Sequence, residues 1–153
     1  MIESAIGYKF RDHLQETVLY EDQIVEHLVS GHIAERRAFP PRMVNDSIAY
    51  EGVQKQLKVA SSIAHPCLPA IYGCDTVEGH FLYVQQHFDG ETLELAAQRK
   101  SASKPEDWAM IATRLVDLMI DLQQNGVAID RLSLLDIIIS NSILLISKRS
   151  PVG

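Results

Sequence analysis

Apolar residues fall in short clusters along the first third of the chain. Tyr8-Lys9-Phe10, Val18-Leu19-Tyr20, Ile24-Val25 and Ile33 to Phe39 have strand-like composition and predict a small antiparallel sheet. The spacing then lengthens. From Asn45 or Asp46, a suitable N-cap, Ile48, Val53, Leu57, Ala60 and Ile63 recur at helical intervals, and this helix must end before Pro66. Ile71 to Val77 and His80 to Phe88 read as two strands around a Glu78-Gly79 turn, and Gly90-Glu91-Thr92-Leu93 opens a short helix. After a break at Ser101 to Pro105 comes the clearest helix, starting near Ser103 and stopping at Gly126. Its stripe includes Trp108, Ile111, Leu115, Leu118, Met119 and Leu122. Ile137 to Ile139 and Ile143 to Ile146, around Ser140-Asn141-Ser142, predict a final hairpin. The sum is an α+β arrangement.

Composition supports a folded chain, with 46% hydrophobic and 22% charged residues, far from the makeup of disordered sequences. The formal charge of -6 opposes binding to a phosphate backbone, so no nucleic-acid partner is expected. Cys67 and Cys74 are too few and too close for a disulfide framework, which suggests a reducing cytoplasm. The N-terminus carries no basic-then-apolar leader. Leu132 to Ile146 is the longest apolar stretch, yet polar residues interrupt it and it is shorter than the roughly 20 residues of a membrane helix. Burial in protein is the expectation. His65, Cys67, Cys74, His80 and His87 lack the paired spacing of zinc ligands, so neither a metal nor a cofactor is expected.

The order of elements resembles the protein kinases. The likeness rests on His65-Pro66-Cys67-Leu68 after the first helix, Ile71-Tyr72-Gly73, the Glu78-Gly79 turn, Phe81-Leu82-Tyr83-Val84 leading to a hinge, and Phe88-Asp89-Gly90-Glu91-Thr92-Leu93. Asn125-Gly126-Val127, Leu132 and Ile137-Ile138-Ile139 then resemble the approach to and frame of the catalytic loop. The resemblance covers roughly residues 8 to 147. It implies one kinase-like domain, with residues 1–88 as the smaller lobe and 89–153 as the start of the larger. An unrelated α+β domain would instead leave the helix after Asn45 off the strand that contains Arg36.

The same resemblance implies that the chemistry is missing. Kinases need a Gly-rich loop, a Lys on the phosphates, a Glu that positions it, an Asp base, and Asn and Asp on magnesium. The first hairpin, Leu14 to Leu28, has no glycine. Arg36 stands at the Lys position, or Arg37 if the register slips by one, and Gln56 stands at the helix Glu. Ile129-Asp130-Arg131 replaces His-Arg-Asp, and the guanidinium of Arg131 cannot accept a proton. Asp136 falls at the metal-binding Asn, and Ser147-Lys148-Arg149 replaces Asp-Phe-Gly before the chain stops at Gly153. Ala34, Gln86, His87, Phe88 and Ile138 would frame any remaining hinge or nucleotide pocket.

The expected function is therefore a non-catalytic, pseudokinase-like scaffold. It would meet a protein partner or a second copy through the face of the long helix from Trp108 to Leu122. The alternative is a nucleotide-binding sensor or atypical phosphotransferase that uses the remnant hinge cleft. Nucleotide-dependent stabilisation separates the two.

Overall fold

The central strands of the first half of the chain, Glu21–His27, Ile33–Phe39 and His80–Gln86, carry buried residues on both faces, whereas Tyr8–Glu16 and Ile71–Val77 beside them are largely exposed. In the computed structural model, residues 4–62, 65–98, 105–125, 137–140 and 143–146 are described. The chain divides into two compact units, Met1–Ser61 with Ala70–His87, and Ser62–Pro69 with Phe88–Gly153.

The first unit is built on a six-stranded antiparallel sheet of order β1-β2-β3-β4-β6-β5. Its strands are β1 (Ser4–Ala5), β2 (Tyr8–Glu16), β3 (Glu21–His27), β4 (Ile33–Phe39), β5 (Ile71–Val77) and β6 (His80–Gln86). Ile6 and Gly7 form the two-residue β1–β2 turn, both with positive φ (59° and 80°) as a primed hairpin turn requires. Ile6 Cγ2 then lies so close to Gly73 that a Cβ there would meet it at 2.9 Å, so β5 needs glycine at that point.

Val18-Leu19-Tyr20 is not a strand. It is a turn, because β2 runs on through polar residues to Glu16 and pairs it with Glu21. Thr17 fixes the turn: its hydroxyl oxygen accepts the N–H groups of Leu19 and Tyr20 at 3.2 and 3.1 Å. Arg42 donates to the Val18 carbonyl. Val18 and Leu19 are consequently exposed at the tip.

After a short helix α1 (Pro41–Val44), helix α2 (Ser47–Ser61) starts at an Asp46 cap, whose carboxylate accepts the Ala49 N–H at 3.2 Å. Ile48, expected in the buried stripe, is 84% exposed. The helix is seated instead by Tyr50, Val53 and Leu57, which pack on Phe39, Phe81 and Tyr83. The helix thus lies on β4, as the kinase resemblance demands and as an unrelated fold would not. The opposite face of the sheet is closed by Tyr8, Val25, Ala34 and Val84, with Ala5, Ala38 and Leu82 beside them.

The second unit carries a three-stranded sheet of order β7-β8-β9, from β7 (Glu91–Thr92), β8 (Ile137–Ser140) and β9 (Ile143–Ile146). The final hairpin forms as expected, with Ile138 opposite Leu145. Strand β7 was not anticipated. It forms because Glu91 and Thr92 extend to pair with Ile139 and Ile138 before helix α3 (Leu93–Gln98) begins. Helix α4 (Pro105–Gln124) is the long helix, with Pro105 at its first position. Leu118 and Leu122 are buried on it, and Ile111, Leu115 and Met119 are half-buried. No described helix is long and apolar enough to cross a membrane.

Candidate functional site

The side chains of a strand alternate, so β4 sends Ala34, Arg36 and Ala38 to one face and Glu35, Arg37 and Phe39 to the other. Phe39 touches the residues of α2. Arg37, not Arg36, therefore shares the face covered by the helix. Arg36, expected in the phosphate-holding position, thus faces away from the helix, and Arg37, the alternative one residue on, faces it.

Arg36 is fully buried on the far face, where its Nε donates to Gln23 Oε1 at 2.8 Å. Burial lowers its pKa and the charge of Glu21 partly opposes that shift. It is a core residue. Ala34, expected in a nucleotide pocket, is likewise fully buried, among Tyr8, Val25 and Val84 on that far face. It cannot line a pocket on the helix side.

Arg37 is clamped within the sheet. Its Nε donates to Asp22 Oδ1 at 2.7 Å and its Nη2 to Asp22 Oδ2 at 2.9 Å, a bidentate pair with side chains only 14% and 9% exposed. The guanidinium also lies over the Tyr20 ring, 3.7 Å from its centroid. Burial alone would lower the pKa of Arg37, but the hydrogen bonds and charge of Asp22 outweigh it and hold the pKa above its ordinary value. Gln15 Nε2 gives Asp22 a further hydrogen bond at 2.7 Å. Gln56, expected at the helix Glu, lies on the exposed side of α2. The partner of Arg37 is thus a neighbouring strand, not the helix.

Towards the end of β6, Glu35 is held on the same face by two neighbours. Gln85 Nε2 donates to Glu35 Oε2 at 3.1 Å, and His87 Nδ1 lies 3.0 Å from Glu35 Oε1. Sequence reading missed Glu35 because it fell on the wrong face in the assumed register. Gln86 is used to fasten β5: its main-chain N–H donates to the Ala70 carbonyl at 2.8 Å, and its side-chain oxygen accepts the Ala70 N–H at 3.2 Å. Phe88, in the second unit, is buried. Ile138 sits in β8, opposite Thr92 and Leu145. Arg131, Asp136 and Ser147 lie outside the described residues.

A recess of about 210 Å³ opens beside the β2–β3 turn, lined by residues that include Glu16, Val18, Glu21, Arg42 and His80. That is below the roughly 300–1,000 Å³ of small-molecule sites. Among the described residues no group of three or more His, Cys, Asp or Glu side chains could hold a metal ion.

In the second unit His65 joins two segments. Its Nδ1 accepts the Cys67 N–H at 3.1 Å, which leaves Nε2–H to donate to Asp121 Oδ2 at 2.5 Å. The Cys67 thiol is half-buried, and burial, then the Asp121 charge, pushes its pKa up. Cys74 is exposed on β5. Iodoacetamide is therefore expected to alkylate Cys74 well before Cys67, because the thiolate is the reactive form. Peptide mapping after brief labelling checks this, and equal rates would contradict the placement of Cys67.

No family model matches the sequence, and comparison with curated proteins finds no match. Solved structures do match. A crystal structure of the Mycobacterium tuberculosis PknI kinase domain superposes with a TM-score of 0.73 at 16% identity, over 100% of this chain and 62% of that one. A second crystal structure of the same kinase domain gives 0.67 at 18% identity, over 94% of this chain and 58% of that one. The chain therefore has a protein kinase-like fold and spans about three fifths of the kinase domains it matches.

Proposed function

We propose that this kinase-like chain is a non-catalytic binding module of the pseudokinase kind, which acts by contacting other proteins. The observation that carries the reading is the Arg37–Asp22 clamp. In a working kinase a Lys on this strand holds the nucleotide phosphates, and a Glu of the packed helix positions it. We read Arg37 as the residue in that place, since it alone of the two arginines faces α2. Its Nε and Nη2 both donate to Asp22, so turning the guanidinium to a phosphate would mean breaking a nearly buried, bidentate ion pair.

Two further features support the same reading. Glu35, on the face of Arg37 and two residues before it, puts a carboxylate where an approaching triphosphate would be repelled. The β2–β3 turn offers Val18 and Leu19 side chains in place of the bare amides of a Gly-rich loop. The substitutions at Arg131 and Ser147 point the same way on sequence alone, whereas Asp136 at the metal-binding Asn position could still hold a cation. A cytoplasmic setting belongs to the reading and agrees with two free thiols.

A phosphotransfer assay with radiolabelled ATP, magnesium and a generic acceptor protein tests it. No incorporation above the protein-free control is expected. Time-dependent labelling that disappears in Arg37→Ala would overturn the reading.

A further inference from the structure

The Arg37–Asp22 pair is part of a longer row across the sheet. Gln15, Asp22, Arg37 and Tyr83 stand opposite one another on β2, β3, β4 and β6, so their side chains share one face. The Asp22 carboxylate lies between two donor side chains. Arg37 gives it Nε–H at 2.7 Å and Nη2–H at 2.9 Å, and Gln15 gives it Nε2–H at 2.7 Å. Opposed residues have Cβ atoms about 4.5–5.5 Å apart, so the strand ladders, rather than the carboxylate, hold Gln15 and Arg37 on either side of it. The Tyr20 ring, 3.7 Å from the guanidinium carbon, supports Arg37 independently of Asp22.

Resting on the non-catalytic reading above, we propose that Asp22 is a built-in competitor that keeps a small-carboxylate site, formed by Arg37 and Gln15, closed. The site binds a free carboxylate once that of Asp22 is withdrawn.

Shape and charge select the ligand. The planar fork of Arg37 matches two coplanar oxygens, as in a carboxylate. Arg37 supplies the one positive charge of the row, and the side chains of Arg37 and Asp22 are only 14% and 9% exposed. A single negative charge is therefore balanced, whereas a second would be left uncompensated in nearly buried surroundings. Glu35, on the same face of β4, opposes further negative charge. The same reasoning rejects a nucleotide triphosphate and accepts formate, which restores the carbon and two oxygens that Asp22→Ala removes.

The test is thermal unfolding of the intact chain and of its Asp22→Ala variant, followed by circular dichroism in sodium formate and in sodium chloride of matched ionic strength. Formate at about ten times its dissociation constant is expected to lower the unfolding constant of Asp22→Ala about tenfold relative to chloride. The wild type should not respond, because Asp22 already fills the site. Should Asp22→Ala be unfolded in chloride, the same binding is expected as a return of the circular dichroism signal when formate is added. Asp22→Asn, which fills the volume of the carboxylate, should not respond, and neither should Asp22→Ala combined with Arg37→Met, which lacks the cation.

No formate-specific gain in Asp22→Ala would overturn the assignment. So would an equal gain in the wild type or in Asp22→Asn, or a gain that survives the loss of Arg37. Failure of the parent reading would look different: magnesium-dependent phosphotransfer by the wild-type chain, which formate binding by the variant neither needs nor produces.

Discussion

Replacing Asp22 with alanine is expected to destabilise the first unit by about 3–5 kcal/mol, because it strands the Arg37 guanidinium in a site where both partners are nearly buried. The carboxylate accepts two bonds from Arg37 and one from Gln15, and all three are lost together. An exposed ion pair would cost only ~0–1 kcal/mol, so the magnitude itself distinguishes a clamp from a surface contact. The paired substitution Asp22→Leu with Arg37→Met is expected to recover most of the loss, since apolar residues can replace a buried pair without a stranded charge. Urea unfolding followed by circular dichroism measures both. Fluorescence is unsuited, because the sole tryptophan, Trp108, belongs to the second unit. A loss below about 1 kcal/mol for Asp22→Ala would mean that Arg37 is not held as described.

Phe81→Ala should be comparably damaging, by about 3–5 kcal/mol. Phe81 is 3% exposed at the junction of β6 with α2, stacked on Phe39 at 6.1 Å between ring centroids and edge-on to Tyr50 at 5.4 Å. Truncation removes the surface on which Tyr50 and Val53 seat the helix. Hydrogen exchange should show amides of α2 and β6 losing protection together, while those of α4 stay unchanged. Phe81→Leu, which keeps most of the volume, is expected to cost less than the alanine. Equal effects from the two substitutions would show that the ring contacts do not hold the helix.

The β5–β6 hairpin, α4 and the β8–β9 hairpin were legible because each has one dominant period and a clear break at its ends. Strand β4 was not. Ile33-Ala34-Glu35-Arg36-Arg37-Ala38-Phe39 has apolar residues at both parities, and both faces are covered. A shift of one residue exchanges the faces of Arg36 and Arg37. Only the packing of α2 on Phe39 decides between them. That one-residue choice decides whether Ala34 or Glu35 is expected on the helix side, and the structure puts Ala34 with Tyr8, Val25 and Val84 on the far face.

Helix α2 shows a milder form of the same ambiguity. Ile48 looks like the start of its stripe, yet it sits in the first turn and is exposed, while Tyr50, Val53 and Leu57 carry the contact. The three-then-four spacing of those residues was the better signal. Val18-Leu19-Tyr20 has strand-like apolar content and nothing more in its favour. Its true state is set by where the ladder ends, at Glu16 opposite Glu21, which is a pairing fact no single segment encodes.

The match to PknI kinase domains at 16–18% identity establishes the fold, and a fold hosts function only through its site. The central claim is that the helix-facing cation of β4 is spoken for by Asp22. The most direct measurement is the melting temperature of the intact chain with and without millimolar ATP and ADP, each in the presence and absence of magnesium. A ligand at 100 times its dissociation constant stabilises by about 2.7 kcal/mol, which a melt detects readily. The account predicts no shift in any of the four conditions. A magnesium-dependent rise in melting temperature that Arg37→Ala removes would contradict it.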